Sequence, residues 1–223
     1  MKLHLGCGER YLDGYVNIDF PVSEHTVQGE RVADLHADIL SLRYPPGEVE
    51  EIRLHHVFEH FARPVACALL ASWFSWLRTE GILHIEVPDF DRTARLVTRT
   101  LTSLRAKSVA ERHLFGSHEA EWADHREGYN AAILRHMVRS FGFVPRKLKR
   151  NSWKGTHNLE LVSDKSSNGL SRGDFERIAA AYLSNFLLDD SASEKRLLEV
   201  WMEAYRRQAE RGWAAGGCLA RHP

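Results

Sequence analysis

The chain has 223 residues, 43% of them hydrophobic and 27% charged, and its 30 basic residues balance its 30 acidic ones. This composition is typical of a soluble globular protein, and the length suits one domain with a helical elaboration. The neutral balance makes nucleic acid an unexpected partner, because a dominant nucleic-acid or membrane-surface role usually brings a basic excess. No run of about 18 apolar residues predicts a membrane span.

The three cysteines, Cys7, Cys67 and Cys218, are scattered and odd in number. They form no Cys-x-x-Cys pair or other ligand spacing, which favours free thiols in a reducing compartment. The first residues lack the charged and apolar regions of a signal peptide. We therefore expect a cytoplasmic protein that folds without disulfides or a structural metal.

The first half of the chain alternates strand patterns with a helical one, and this alternation predicts a mostly parallel, doubly wound sheet. A short strand or turn is predicted at residues 34–38, and Pro64 suits the first turn of the helix. The other predicted elements are strands at residues 2–5, 15–19, 51–56 and 82–87 and a helix at 65–78.

The second half is predicted to be mainly helical, with one antiparallel strand pair at the sheet edge. The whole pattern predicts an α/β, Rossmann-like fold with C-terminal helices, divided into a domain at residues 1–165 and a helical extension at 171–215. The predicted elements are one or two helices at residues 92–114, a helix at 130–140, strands at 143–148 and 157–163, and helices at 172–189 and 193–213.

Two glycines, Gly6 and Gly8, follow the first predicted strand directly. Ligands of α/β folds lie across the carboxyl ends of the strands, where glycine lets polar groups approach backbone N–H. Asp19 ends the second strand and could accept hydrogen bonds from both hydroxyls of a ribose. Tyr11 stands where a dinucleotide fingerprint has its third glycine, which disfavours a nicotinamide-dependent dehydrogenase. A tight turn without a ligand remains the alternative.

Seven short motifs follow one another between residues 2 and 165. They are Leu5-Gly6-Cys7-Gly8, Asn17-Ile18-Asp19, Asp38-Ile39-Leu40, His56-Val57-Phe58-Glu59-His60, Thr79-Glu80-Gly81, Val87-Pro88-Asp89 and Phe141-Gly142-Phe143. In this order they resemble the small bacterial class I S-adenosylmethionine-dependent methyltransferases that begin at their first strand. The C-terminal helices lie outside the resemblance.

The resemblance implies a site for S-adenosylmethionine. The glycine turn would pass beneath the methionine part of the cofactor, and the acid ending the second strand would hold the ribose. The segment after the third strand would hold the adenine, and the histidine ending the fourth strand would lie near the sulfonium. The implied cofactor residues are Gly6, Cys7, Gly8, Asp19, Asp38, Ile39 and His56.

One departure from the usual pattern concerns the first loop. Gly8 and Asp19 are eleven positions apart, whereas the glycine loop and the acid of such folds are usually separated by about twenty. This spacing leaves no room for a normal first helix, and a compact loop with Glu9, Arg10 and Gly14 would replace it. The short loop motivates an alternative function, a non-catalytic S-adenosylmethionine-binding or scaffold protein with the same fold.

The resemblance implies methyl transfer to an oxygen or nitrogen of a small polar acceptor, with a sugar or glycan as the leading candidate, in an enzyme that could be a homodimer. The displacement depends mainly on orientation, but a hydroxyl acceptor gains about 10²–10⁴-fold from a general base. In this fold the polar loop after the fifth strand usually shapes the acceptor pocket. We therefore favour His125 as the base, with Asp89 or His118 as its partner; solvated loop residues are the alternative.

Two further motifs have both a functional and a structural interpretation. His56 to His60 spells His-x-x-Glu-His, a zinc-peptidase pattern that would require one continuous helix; we predict no metal. A basic stretch beside Trp153 could bind an anionic acceptor or RNA, or could simply be the solvated face of an edge strand. Its residues are Arg146, Lys147, Lys149, Arg150 and Lys154.

Overall fold

The computed structural model describes residues 1–24, 27 and 29–213. Seven strands of this part form one sheet in the order β3-β2-β1-β4-β5-β7-β6. The strands are β1 (Lys2–Leu5), β2 (Val16–Asp19), β3 (Leu35–His36), β4 (Val49–His55), β5 (Leu77–Pro88), β6 (Phe143–Trp153) and β7 (Thr156–Lys165). The α-helices are α1 (Arg63–Trp76), α2 (Phe90–Thr98), α3 (Leu104–Phe115), α4 (Ala131–Ser140), α5 (Arg172–Ser184) and α6 (Ala192–Trp213).

The direction of the strands confirms the predicted α/β sheet. β1 to β5 pair in parallel, whereas β7 runs antiparallel to both of its neighbours, β5 and the edge strand β6. The helix predicted at residues 65–78 ends earlier, at Trp76, because β5 already begins at Leu77 and pairs there with Val49 of β4. The segment predicted as one or two helices at residues 92–114 forms two, α2 and α3.

The loop between β1 and β2 also follows the prediction. Residues 6–15, all of them described, contain no helix. The chain turns directly from β1 into β2, and the N–H of Cys7 donates to the carbonyl of Ile18 at 3.0 Å. The short loop therefore leaves this side of the sheet without the first crossover helix of a doubly wound fold.

Helix α1 is the centre of the apolar core. It is buried on nearly all sides, and Trp73 and Trp76 are at most 1% exposed, as expected for a helix covered by both the sheet and other helices. The C-terminal helix α6 packs across it so closely that Trp76 Nε1 donates to the carbonyl of Gly212 at 3.3 Å. Among the described residues, the structure has no helix whose length and hydrophobicity would let it span a membrane.

The opposite face of the sheet is polar. Residues paired across neighbouring strands share a face, and His4 pairs with Arg53, Arg53 with His84, and His55 with Glu86. The residues that alternate with them along the strands, such as Leu54 and Ile85, are buried in the core. We call this surface the polar sheet face; its residues are His4, Arg53, His55, His84, Glu86, Asn158 and Glu160.

Candidate functional site

A cleft of about 750 Å³ opens at the carboxyl ends of β1, β2, β3 and β4. This edge is where open α/β sheets bind their ligands. We call this opening the first cleft. Every residue that the sequence resemblance implied for the cofactor lines it: Gly6, Cys7, Gly8, Asp19, Asp38, Ile39 and His56.

Asp19 joins the glycine turn to the end of β2. The N–H of Gly8 donates to its Oδ2 at 2.5 Å, and the N–H of Phe20 donates to its Oδ1 at 2.7 Å. The side chain is well buried, at 7% exposure. Backbone N–H bonds to a carboxylate are charge-assisted and geometrically strict, so they hold this acid in one position beside the turn.

Gly6 is required by both its conformation and its neighbours. Its φ is +65°, and an added Cβ would overlap Cγ2 of Val57 and lie 3.3 Å from Cγ1. Gly47 has a comparable φ of +78° with no heavy atom within 4 Å of such a Cβ. We expect Gly47→Ala to cost about 1–2 kcal/mol for the left-handed conformation alone.

Gly6→Ala should cost about 1–3 kcal/mol more, because overpacking adds to the same conformational strain. Urea denaturation of the two variants measures the difference directly. Equal losses would mean that Val57 yields without cost and that the close approach at the turn is unimportant.

The segment after β3 supplies the wall proposed for adenine. Asp38 caps a short 3₁₀ helix, Ile39–Ser41, by accepting the N–H of Leu40 at 2.9 Å. Gln208 of α6 donates to the carbonyl of Leu40 at 2.9 Å. The C-terminal helix therefore supports this wall of the first cleft, a contact that sequence spacing did not predict.

Trp122 lines the first cleft from a loop far along the chain. Its Nε1 donates to the carbonyl of Glu24 at 3.0 Å, and its ring lies 5.9 Å from that of Phe20. The indole therefore joins the loop after α3 to the loop after β2. Sequence analysis assigned no role to Trp122; its large apolar ring within a polar loop was the available signal.

Cys7 contributes its backbone to the turn, and its thiol is unreactive. Burial, followed by the negative charge of Asp19, raises the pKa of Cys7 to about 12. The thiol therefore stays protonated at neutral pH, and only a thiolate is an effective nucleophile.

A second cleft, of about 880 Å³, lies over the polar sheet face. It shares seven lining residues with the first cleft, so the two are continuous. The shared residues are Arg10, His55, His56, His60, Glu86, Glu119 and Trp122. Its other walls come from α3 and from the turn between β6 and β7. These walls include Arg112, His113, Trp153 and Lys154.

His56 and two carboxylates form a charged cluster where the clefts meet. Nδ1 of His56 lies 3.3 Å from Glu59 Oε1, and Nε2 lies 3.5 Å from Glu86 Oε1. Burial opposes the charged imidazole, but the two carboxylates outweigh it and raise the pKa of His56 to about 10. Burial likewise opposes the charged form of Glu59, yet His56 holds the pKa of that carboxyl below its ordinary value. Both groups are therefore charged at neutral pH.

The raised pKa of His56 should be detectable in the pH dependence of stability. A raised pKa in the folded state adds stability that is complete below the ordinary value of 6.5 and is lost as the pH passes about 10. We expect the unfolding free energy to decrease across that range. Urea denaturation of His56→Asn, which tolerates the observed φ of +53°, should show a smaller decrease. An unchanged pH profile in this variant would rule out the cluster as its source.

The zinc-peptidase interpretation of His-x-x-Glu-His is wrong. His56 precedes a three-residue 3₁₀ helix, Phe58–His60, so no continuous α-helix presents the two histidines on one face. Glu59, His60 and His125 do offer ligand atoms within 4.8 Å of one another. Because His56 already balances the buried carboxylate, this group does not need a metal ion for charge compensation.

Comparison with known proteins bears on the fold. No protein-family model matches the chain, and no curated protein matches it significantly. A SAM-dependent methyltransferase from Methanosarcina mazei superposes with a TM-score of 0.51 and 11% identity over 75% of this chain and 92% of its own. A chain of the complex containing the Haloferax volcanii Trm112 methyltransferase activator gives a TM-score of 0.51 and 11% identity over 76% and 83%. This chain has the class I methyltransferase fold.

Within this methyltransferase fold, the three predicted catalytic residues do not come together. His125 lines the second cleft, and its Nε2 lies 3.8 Å from Glu59 Oε1. Asp89 is fully buried; it caps α2 and pairs with Nε of Arg150 at 3.0 Å. His118 is exposed, and its Nε2 contacts the carbonyl of Phe115 at 3.2 Å. Asp89 and His118 line neither cleft. Of the three predicted residues, only His125 therefore lies at the candidate site.

Proposed function

We propose that the protein is an S-adenosylmethionine-dependent methyltransferase acting on an oxygen or nitrogen of a small polar acceptor. The cofactor would occupy the first cleft and the acceptor the second. The observation that carries this proposal is the convergence of all seven sequence-implied cofactor residues on one cleft that is continuous, at His56, with a second.

The residues present fit an adenosyl cofactor. Asp19 offers a fixed carboxylate for the ribose hydroxyls, and the apolar side chains of Ile39 and Phe20 suit a flat adenine ring. Arg10, which the sequence placed only in the compact loop, lines both clefts and is suited to the methionine carboxylate. When bound, S-adenosylmethionine supplies a methyl group activated by its sulfonium.

His125 is proposed to receive a proton from the acceptor. Burial lowers the pKa of His125, so its imidazole is neutral at physiological pH and able to act as a base. The charged Glu59 at 3.8 Å would stabilise the imidazolium that forms. Correct placement of the acceptor supplies the larger effect, since the displacement itself needs no proton transfer.

Methyl-transfer assays with labelled cofactor test this role. We expect His125→Gln to reduce the turnover rate about 10²-fold or more while the affinity for S-adenosylhomocysteine stays unchanged. His118→Gln is the matched control, because that exposed histidine lines neither cleft. Equal activity in the two variants would remove His125 from the mechanism.

A glycan acceptor remains the finer proposal, and it draws support from the second cleft. Trp153 is 64% exposed there, and the amide side chains of Asn151 and Asn158 line the same space. Aromatic faces and amides suit the C–H and hydroxyl faces of sugars. Binding of S-adenosylhomocysteine without transfer to any acceptor fraction would favour the alternative, a non-catalytic binding protein.

We assign residues 1–165 to the methyltransferase domain and 171–215 to a helical extension supporting it through α6. Cys7 and Cys67 are buried free thiols, in keeping with a cytoplasmic location; Cys218 lies outside the described residues. Light scattering of the purified protein would test the predicted homodimer.

A further inference from the structure

We infer that the second cleft takes an acceptor carrying an anionic group, a carboxylate or a phosphate, held by Arg53, Arg112 and Lys154. This inference rests on the proposed function, because it names the acceptor class of the same enzyme. The three cations come from three separate elements: β4 in the floor of the cleft, α3 in one wall, and the β6–β7 turn in the other.

The acidic side chains of the second cleft already have partners. Glu86 is shared between His55 and His56 at 3.7 and 3.5 Å, and Glu160 Oε1 lies 2.8 Å from Nε2 of His84. The third acid, Glu119, accepts the hydroxyl of Ser117 at 3.0 Å. Each of these carboxylates therefore contacts a residue other than Arg53, Arg112 and Lys154.

The basic side chains of the same cleft have no acidic partner within the described part of the chain. Arg53, Arg112 and Lys154 form no ion pair there. Arg53 donates from Nε to a histidine, His55, at 2.7 Å. Three cations that face one cleft and form no ion pair with its carboxylates are a natural site for an anion, because charge-assisted bonds to carboxylate or phosphate satisfy them best.

On the polar sheet face, Arg53 supplies the positive charge beneath this site. Burial and then the charge of Arg53 lower the pKa of His84. Burial lowers the pKa of His4 to about 4, with Arg10 and Arg53 contributing in the same direction. The neighbouring imidazoles therefore remain uncharged and leave Arg53 as the cation of the cleft floor.

Only one residue of the basic stretch beside Trp153 lines the second cleft. Arg146 pairs with Asp164 at 3.4 Å, and Arg150 is held by Asp89. Lys154 instead lines the cleft, with its Nζ 4.4 Å from the centre of the Trp153 ring. This pair offers a flat apolar surface beside a charge, which suits an anionic sugar or another ring bearing an acidic group.

Calorimetric titration with three matched hexoses tests the inference. Glucose 6-phosphate carries a phosphate, glucuronate carries a carboxylate, and glucose carries neither. Each is titrated, at constant ionic strength, into protein saturated with S-adenosylhomocysteine. We expect at least one charged hexose to bind about tenfold or more tightly than glucose. The tighter of the two charged probes identifies the acidic group that the cleft prefers.

Two variants locate the binding. Arg112→Gln and Arg53→Gln should each weaken the charged hexose about tenfold, whereas Arg196→Gln, on exposed α6, should leave it unchanged. Arg112 is exposed on α3, so its replacement tests the site even if Arg53→Gln impairs folding. Equal affinity for all three hexoses, or equal binding by every variant, would overturn the inference. Retained S-adenosylhomocysteine binding in that case would leave the proposed function intact.

Discussion

Asp19→Ala is expected to weaken S-adenosylhomocysteine binding at least tenfold. The carboxylate is proposed to hold the ribose, and it also fixes the glycine turn through the N–H groups of Gly8 and Phe20. Each charge-assisted hydrogen bond contributes about 1.5–3 kcal/mol, and about 1.4 kcal/mol corresponds to tenfold in affinity. Isothermal titration of wild type and variant gives the ratio.

The control for this prediction is Asp13→Ala. Asp13 is an exposed acid of the same loop that does not line the first cleft. The Asp13→Ala variant should therefore bind S-adenosylhomocysteine with the affinity of the wild type. Unchanged affinity in Asp19→Ala would refute the assigned ribose site, whereas equal weakening in both variants would indicate a nonspecific effect of charge on the loop.

Glu59→Gln should produce a large loss of stability, about 3 kcal/mol. The carboxylate is 1% exposed and is the closest charged partner of His56. Removing one member of a buried ion pair typically costs about 3–5 kcal/mol, because the other charge remains without compensation. The lower figure applies here, since His56 is 37% exposed and still has Glu86.

Denaturation of Glu203→Gln provides the comparison. Glu203 belongs to an exposed i,i+4 pair with Arg207 on α6, and such pairs contribute at most about 1 kcal/mol. Glu59→Gln should exceed this loss severalfold. Similar losses in the two variants would show that the buried carboxylate does not depend on His56 and that the cluster is not a structural unit.

Local sequence patterns predicted the part of the site that lies next to strand ends. Gly6, Gly8 and Asp19 each sit within a few residues of a strand, and parallel strands bring such positions to one edge. The eleven-residue spacing also predicted correctly that no helix would fit between β1 and β2. Covalent geometry limits these positions strongly, so the sequence alone was sufficient to place them at one edge of the sheet.

Other features depend on contacts between distant segments. Trp122 reaches Glu24, and Gln208 reaches Leu40, and no local pattern encodes such a pairing. Asp89 was proposed as a catalytic partner, whereas its position before α2 makes it an N-cap. The polar sheet face could have been predicted, because Arg53 and His55 alternate with apolar residues along β4.

A structure of the protein crystallised with S-adenosylhomocysteine tests the central claim most directly. The proposed function predicts adenine beside Ile39, the ribose hydroxyls on Asp19, and the sulfur facing the second cleft near His56. Electron density for the ligand elsewhere, or a first cleft filled by the protein's own side chains at saturating ligand, would contradict it.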